Sequence, residues 1–114
     1  MALPYTVDFH EDAVAELLDL DLRDQDAVAH AREKLVALGD RLPFPHQSAV
    51  RQGAPLRELR PRGGRSRWRP LYARLGEGFV ILSIAPEADV DPKGFRRGVD
   101  SALERLAQLS EEEA

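Results

Sequence analysis

The 114-residue chain contains no cysteine, one methionine and one tryptophan. The lack of cysteine excludes disulfides, thiolate metal sites and cysteine nucleophiles. No apolar run approaches the roughly 20 residues that a membrane-spanning helix needs. The first residues also lack the apolar core of a signal peptide, because Asp8, Glu11 and Asp12 interrupt it. We therefore expect a cytoplasmic protein with no membrane-spanning segment.

The composition is that of an ordinary globular domain. Hydrophobic residues make up 43% of the chain and charged residues 32%, which is typical of a protein with one packed core. A chain of this length has room for one core and not for two. Residues 1–114 are therefore predicted to form a single domain. Its acidic tail, residues 110–114, is expected to fray.

Acidic and basic residues are segregated along the chain. The net charge is −4, yet residues 41–74 contain nine arginines and a single glutamate, Glu58. The flanking segments 1–40 and 75–114 have balances of −7 and −5. Because local potential decides where an anion docks, the basic block is a candidate anion-binding surface. Segregation in sequence leaves open whether the block forms one patch in space.

A first strand and two helices are predicted in the N-terminal part. Residues 5–9 alternate between apolar and polar side chains, which is typical of a strand. Asp24 is the predicted N-cap of the second helix, and Gly39 stands where a C-terminal cap is expected. The inward face of the first helix is predicted to contain Val14, Leu17 and Leu18. The core stripe of the second helix is predicted to contain Val28, Ala31, Leu35 and Leu38.

A three-stranded antiparallel meander is predicted for residues 56–84. Its segments LRELRP, SRWRPLYARL and FVILSI are rich in branched and aromatic residues. Gly63-Gly64 suits a tight two-residue hairpin, whereas the proline-rich residues 42–54 predict a loop. Pro70 cannot donate to a ladder, so its strand must lie at an edge or be bulged there.

The last predicted element is a helix that starts at Asp91-Pro92. Its apolar face is predicted to contain Phe95, Val99, Ala102, Leu103 and Leu106. The fold class that results is α+β, with element order β-α-α-β-β-β-α. In it, a small meander sheet is packed on one side by the two N-terminal helices and the C-terminal helix.

Several side chains of the meander and its flanks are suited to chemistry. Strand alternation places Arg67 and Arg69 on one face, where they form a candidate anion site. Trp68 suits base stacking or core packing, and Tyr72 suits packing or proton transfer. His46 is the histidine best placed to titrate near neutrality, although a loop histidine without a partner is usually only exposed. No two histidines have metal-ligand spacing, so neither a metal nor another cofactor is expected.

Three segments carry a family resemblance. They are Leu56–Arg60 (LRELR), Arg67–Ala73 (RWRPLYA) and Val80–Leu82 (VIL). With the element order, they resemble the RelE/HigB superfamily of toxins from type II toxin–antitoxin systems, and most closely its phage-derived Gp49-like, HigB-type branch. The resemblance covers nearly the whole chain. It implies a RelE-like fold, a metal-independent endoribonuclease (mRNA interferase) that inhibits translation by cutting mRNA on the ribosome, and a helix-turn-helix antitoxin as partner.

The resemblance also implies roles for individual residues. Cleavage of RNA by its own 2′-hydroxyl needs a base, an acid and cations at the phosphorane. Arg69, from the Arg-x-Leu-Tyr motif, and Arg60, which ends Glu-Leu-Arg, are the implied catalytic residues at the phosphate. The implied RNA- or phosphate-binding residues are Arg57, Arg65, Arg67, Arg74 and Trp68, and the possible acid–base residues are His46 and Tyr72. The alternative for any one arginine is a solvated side chain or a partner for a carboxylate such as Glu58.

One segment departs from the family pattern. The two lysines that typically follow the last strand of these toxins are replaced here by Pro86 and Glu87, whereas the later Pro92 matches. Glu87 and its acidic neighbours would repel RNA phosphates. Two functions therefore remain open. The first is an active endonuclease toxin, and the second is a catalytically impaired RelE-like homologue that acts as an antitoxin-binding or regulatory module.

Overall fold

The computed structural model describes residues 5–113 and has a mixed α+β architecture. In chain order the elements are β1 (Val7–Phe9), α1 (Glu11–Leu18), α2 (Leu22–Leu38), β2 (Gln47–Ala49), β3 (Arg57–Leu59), β4 (Trp68–Leu75), β5 (Gly78–Pro86) and α3 (Pro92–Glu113). Short 3₁₀ turns cover Gly39–Arg41 and Pro61–Gly64. The predicted fold class is confirmed, with one strand, β2, added to it.

The strands form one sheet in the order β1-β5-β4-β3-β2. β1 runs parallel to β5, and the other neighbouring pairs are antiparallel, so the predicted meander is confirmed as β3-β4-β5. The prediction of a continuous loop over residues 42–54 is wrong, because β2 pairs with β3 through Ser48 and Glu58. The prolines that indicated a loop flank this short strand and do not interrupt it.

The predicted tight hairpin at Gly63-Gly64 is also wrong. Both glycines do have positive φ, 64° and 94°, but they belong to a 3₁₀ turn within the longer connection of residues 60–67. The two-residue hairpin lies instead between β4 and β5, where Leu75 pairs with Gly78 across the turn. Pro70 behaves as expected, because β3 pairs with β4 only at Leu71 and Tyr72, and a bulge lies between those two residues.

Helices cover both faces of the sheet, so the expectation of helices on one side is wrong. Alternation along the central strands divides the apolar side chains between two clusters. The cluster under α1 and α2 includes Val7, Leu35, Leu59, Tyr72, Phe79 and Ile81. The cluster under α3 includes Leu56, Leu71, Ala73, Val80, Leu82, Val99 and Ala102. Both faces of this sheet therefore carry an apolar cluster that packs against helices.

The helices differ in detail from their predicted faces. Leu17 packs against the core as predicted and Ala13 is buried, whereas Val14 and Leu18 are exposed. Asp21 rather than Asp24 caps α2, because its side chain accepts a hydrogen bond from the Asp24 N–H at 2.8 Å. Val28, Ala31 and Leu35 form the expected stripe, whereas Leu38 is partly exposed. Gly39, with φ of 52°, ends α2 as predicted.

The C-terminal helix starts where it was expected. Asp91 Oδ1 accepts a hydrogen bond from the Gly94 N–H at 2.9 Å, which is the contact of an N-cap. Residues 110–113 continue the helix, and Ala114 lies outside the described residues. The expected fraying of the tail stays a prediction. None of the helices found between residues 5 and 113 is long and apolar enough to cross a membrane.

Side chains complete the edge of β5 beyond its pairing with β1. That pairing ends at Ile81. Beyond it, the Leu82 carbonyl and the Ile84 N–H form hydrogen bonds with side chains of α3 and α1. Glu16 accepts hydrogen bonds from the Ile84 N–H at 2.9 Å and from Arg105 at 2.8 Å. Arg105 also donates to the Leu82 carbonyl at 2.7 Å. The Glu16–Arg105 pair therefore links α1 and α3, which lie on opposite faces of the sheet, to β5.

Replacing Glu16 with alanine should destabilise the fold. The substitution leaves the Ile84 N–H and the Arg105 guanidinium without their partner, at a cost of about 1–3 kcal/mol. Urea unfolding followed by circular dichroism measures the free energy of unfolding. The matched control is Glu33→Ala on the exposed face of α2, which should change it by about 0.5 kcal/mol or less. Equal effects of the two substitutions would contradict the role of Glu16.

Candidate active site

The two sequence motifs meet at one pocket on the α3 face of the sheet. The pocket has a volume of about 450 Å³ and lies between the β3–β4 connection and the segment that joins β5 to α3. Its charged lining consists of three arginines and three carboxylates, namely Arg51, Arg60, Arg69, Glu58, Glu87 and Asp89. Glu58 and Arg60 come from Glu-Leu-Arg, and Arg69 comes from Arg-x-Leu-Tyr. The pocket is therefore our candidate active site.

Arg69 lies at the base of the pocket and is only 3% exposed. Its guanidinium donates to the carboxylate of Glu87 at 2.6 Å and to the carbonyls of Gly64, Ser66 and Trp68. Burial lowers the pKa of Arg69 below its usual value, and the neighbouring Arg60 lowers it further, whereas Glu58 and Glu87 oppose the shift. A phosphate can therefore reach Arg69 only by displacing Glu87.

Arg60 is the more accessible of the two motif arginines. It forms an ion pair with Glu58 at 3.1 Å and donates to the Pro45 carbonyl at the same distance. Ser48 donates to the same Glu58 oxygen at 2.9 Å. The guanidinium also lies over the ring of Phe44, 5.3 Å from its centre. With 23% of its side chain exposed, Arg60 keeps an edge toward the pocket.

The structure does not bring Arg67 to Arg69, so the predicted shared anion site is wrong. Arg67 precedes the first residue of β4, where strand alternation no longer fixes its direction. It is exposed and stacks on the ring of Trp68 at 5.0 Å, outside the pocket. Trp68 is half-buried, packs against the α1–α2 cluster and donates to Asp24 at 3.2 Å.

The remaining arginines of the basic block are dispersed. Arg57 donates to the side chain of Gln47 at 2.7 Å, and Arg65 donates to the carbonyl of Arg62 at 3.0 Å. Arg74 pairs with Asp40 on the opposite face of the sheet and lies over Phe79. The basic block in the sequence therefore does not form one basic patch in space.

Neither candidate acid–base residue lies in the pocket. His46 Nδ1 is 3.4 Å from the Lys34 ammonium, and only the His46 carbonyl contacts the motif, by accepting from the Arg60 N–H. Tyr72 is buried in the α1–α2 cluster, edge-on to Phe79 at 5.8 Å. Burial raises the pKa of Tyr72 above its usual 10, partly opposed by Arg57. Tyr72 is thus a core residue.

Comparisons with known proteins show which solved structures this chain is similar to. No protein-family model and no curated protein sequence matches the chain. A chain of the toxin–antitoxin complex RelBE2 from Mycobacterium tuberculosis is 31% identical, with a TM-score of 0.52, over 78% of this chain and 98% of that one. The chain belongs to the RelE-like toxin superfamily. An arginine-to-alanine mutant of E. coli toxin RelE in its free state has a TM-score of 0.64 at 16% identity, covers 90% of this chain and 98% of its own, and shows the same fold.

Sequence reasoning missed three features of this RelE-like site. Glu87 was interpreted as a source of repulsion, but it is the ion-pair partner of Arg69. Arg51 lines the pocket from the β2–β3 connection, and Phe44 stacks on Arg60. A signal for the Arg69–Glu87 pair was present, because antiparallel pairing of β4 with β5 brings the end of β5 beside the start of β4. Within residues 5–113, no cluster of three or more His, Asp and Glu side chains is arranged to hold a metal ion.

The raised pKa of Tyr72 predicts a loss of stability in alkali. Above about pH 10 the unfolded tyrosine loses its proton while the folded one keeps it, so the free energy of unfolding falls by about 1.4 kcal/mol per pH unit. The stabilisation that the protonated Tyr72 side chain contributes is fully present below about pH 10. It is lost as the pH rises through the raised pKa of Tyr72 in the folded protein. Tyr72→Phe should flatten this slope relative to the wild type in urea unfolding between about pH 9 and 12. Equal slopes for the two proteins would contradict the assignment.

Proposed function

We propose that this RelE-like protein is the toxin of a type II toxin–antitoxin system, of the HigB-type, Gp49-like branch, and that it cleaves mRNA on the ribosome. Inhibition of translation in the cytoplasm is the consequence. The observation that carries the proposal is the convergence of Glu58, Arg60 and Arg69 in one pocket. The residues that resemble the toxin motifs thus surround one cavity, although they come from different strands.

The pocket contains the groups that metal-independent RNA cleavage requires. Arg60 and Arg51 can donate to the phosphate oxygens, where charge accumulates in the transition state. Carboxylates beside them are suitable proton acceptors for the attacking 2′-hydroxyl. Guanidinium groups stay charged at neutral pH, so their contribution does not depend on titration. The pocket's own side chains and water can therefore supply these groups to mRNA that is bound on the ribosome.

One observation favours the second function. The Arg69–Glu87 ion pair, at 2.6 Å, occupies the guanidinium that the family motif assigns to the phosphate. A homologue in which Glu87 permanently excludes RNA would keep the fold and the partner-binding surface without cleavage. Such a protein would act as an antitoxin-binding or regulatory module. The two functions differ in what happens when the protein is made alone.

Expression of the protein alone in bacteria should arrest growth and cut transcripts. We expect Arg60→Ala to reduce the rate of transcript cleavage by about 10²-fold, because it removes a donor to the developing charge. Primer extension on a reporter mRNA measures cleavage, and Arg23→Ala, an exposed arginine of α2, serves as the control with unchanged activity. Absence of arrest at full expression of the folded wild type would contradict the endonuclease and support the binding module.

We also propose a cognate helix-turn-helix antitoxin as the partner. The M. tuberculosis relative was solved as a toxin–antitoxin complex, which supports a partner of the same kind. In the basic block of residues 41–74, six arginines have no carboxylate partner among residues 5–113, and these are Arg41, Arg51, Arg57, Arg62, Arg65 and Arg67. An acidic, partly disordered antitoxin segment can fold onto them.

Antitoxin binding should weaken as salt is added. Raising the ionic strength from about 0.1 to 1 M shortens the Debye length from about 10 to 3 Å and screens exposed charge pairs. We expect the measured Kd of the antitoxin encoded next to this gene to rise over this range. Arg57→Ala combined with Arg65→Ala should reduce the slope. A Kd that does not depend on salt would contradict the role of the arginines.

A further inference from the structure

Within the Arg69–Glu87 pair, the group that solvent reaches is the carboxylate and not the guanidinium. The Glu87 side chain is 25% exposed, whereas Arg69 behind it is 3% exposed. We propose that Glu87 accepts the proton of the 2′-hydroxyl during RNA cleavage, that Arg69 is a positioning residue for it, and that Arg60 and Arg51 bind the phosphate. This inference rests on the proposed endonuclease function and reassigns the role of Arg69.

Hydrogen bonds hold both the backbone and the carboxylate of Glu87. Its N–H donates to the Arg67 carbonyl at 2.7 Å, and its carbonyl accepts from the N–H groups of Val90 and Asp91 at 3.2 and 3.0 Å. One carboxylate oxygen accepts from Arg69. The other oxygen has no donor among residues 5–113 and is available to a proton. A general base needs this combination of fixed position and one free oxygen.

The other carboxylates of the pocket are less suited to this role. Glu58 is also held through one oxygen, by Ser48 and Arg60, but it is only 13% exposed, against 25% for Glu87. Asp89 is exposed and makes no side-chain hydrogen bond within the described part of the chain. The charged groups that face Glu87 are Arg69 from β4, Glu58 and Arg60 from β3, Arg51 from the β2–β3 connection, and Asp89 from its own segment.

The reaction balances without a further reactant. Glu87 takes the 2′-hydroxyl proton as the 2′-oxygen forms a bond to phosphorus, and the bond from phosphorus to the 5′-oxygen breaks. The 5′-oxygen leaves with the electron pair and takes a proton from water. Glu87 then releases its proton to solvent. The products are a 2′,3′-cyclic phosphate and a 5′-hydroxyl, with the phosphate charge held by Arg60 and Arg51 throughout.

The test is single-turnover cleavage of mRNA on purified ribosomes. Glu87→Gln should reduce the rate constant by about 10²–10⁴-fold, with affinity for the ribosome unchanged. Glu87→Asp moves the carboxylate by one methylene, so it should lower the rate by less than Glu87→Gln does. Glu77→Gln, in the exposed β4–β5 turn, is the matched control and should leave the rate constant and the affinity unchanged.

The outcomes separate this inference from the function on which it rests. Wild-type cleavage together with an unchanged rate for Glu87→Gln would overturn the role of Glu87 and leave the toxin function intact. Faster cleavage by Glu87→Gln would also overturn it, by making Glu87 a block on Arg69. A wild type that cleaves nothing would overturn both proposals. If the glutamine variant does not fold, the Glu87→Asp comparison decides.

The positioning role of Arg69 is tested by a double-mutant cycle. Arg69→Lys keeps the charge but loses the guanidinium fork, so it should lower the cleavage rate in the wild-type background. In the Glu87→Gln background the same substitution should have no further effect, because Arg69 acts through Glu87. Additive losses would show that Arg69 contacts the phosphate itself and would overturn its positioning role.

Discussion

The buried guanidinium of Arg69 sets the shape of this end of the molecule. A charge that leaves water must be paired and hydrogen-bonded, because an isolated buried charge is very costly. Arg69 meets this requirement by drawing the Gly64 and Ser66 carbonyls inward and by holding Glu87 at the end of β5. The β3–β4 connection and the β5–α3 segment therefore close on one another. The pocket lies between these two segments, with Arg69 at its base.

The same requirement explains the backbone near Arg60. Gly64 has a φ of 94°, and a Cβ there would come within 2.8 Å of the Arg60 guanidinium. Only glycine combines this backbone conformation with room for the neighbouring arginine. The connection thus carries a 3₁₀ turn in place of the short hairpin that two adjacent glycines predict. Burial of an arginine has changed the type of turn that its neighbours adopt.

The fold was predictable wherever the sequence encodes structure locally. The core stripe of α2, the cap at Asp91 and the strands of the meander depend on spacing over a few residues, and the structure confirms them. Long-range requirements account for the failures. Glu16 looks like a solvated residue on an amphipathic helix, but β5 and α3 together need its carboxylate. Whether helices cover one face of the sheet or both depends on the chain path and not on any local pattern.

The candidate site was predictable only in part, for a related reason. Sequence motifs identified Arg60 and Arg69, but an arginine's partner depends on strand register, which the motifs do not contain. Pairing of Arg69 with Ala85 puts Glu87 close to the Arg69 side chain. The prediction that Arg67 shares a face with Arg69 was wrong, because Arg67 lies one residue before β4 and strand alternation does not fix its direction. The sign of its charge was thus not enough to predict the partner of Glu87, and strand alternation was not enough to predict the direction of Arg67.

A contribution to the free energy of unfolding does not explain well why Arg69 and Glu87 are paired at this position. Attraction between two buried charges is largely offset by their loss of hydration, and well-packed apolar residues often stabilise a fold as well or better. An ion pair that lies against a pocket is therefore better explained by what its exposed member does there. In this chain the exposed member is Glu87, and the replacement of a basic pair by an acid changes which charge the pocket presents. In the proposed reaction, Arg60 and Arg51 hold the anionic substrate, while the carboxylate accepts the proton.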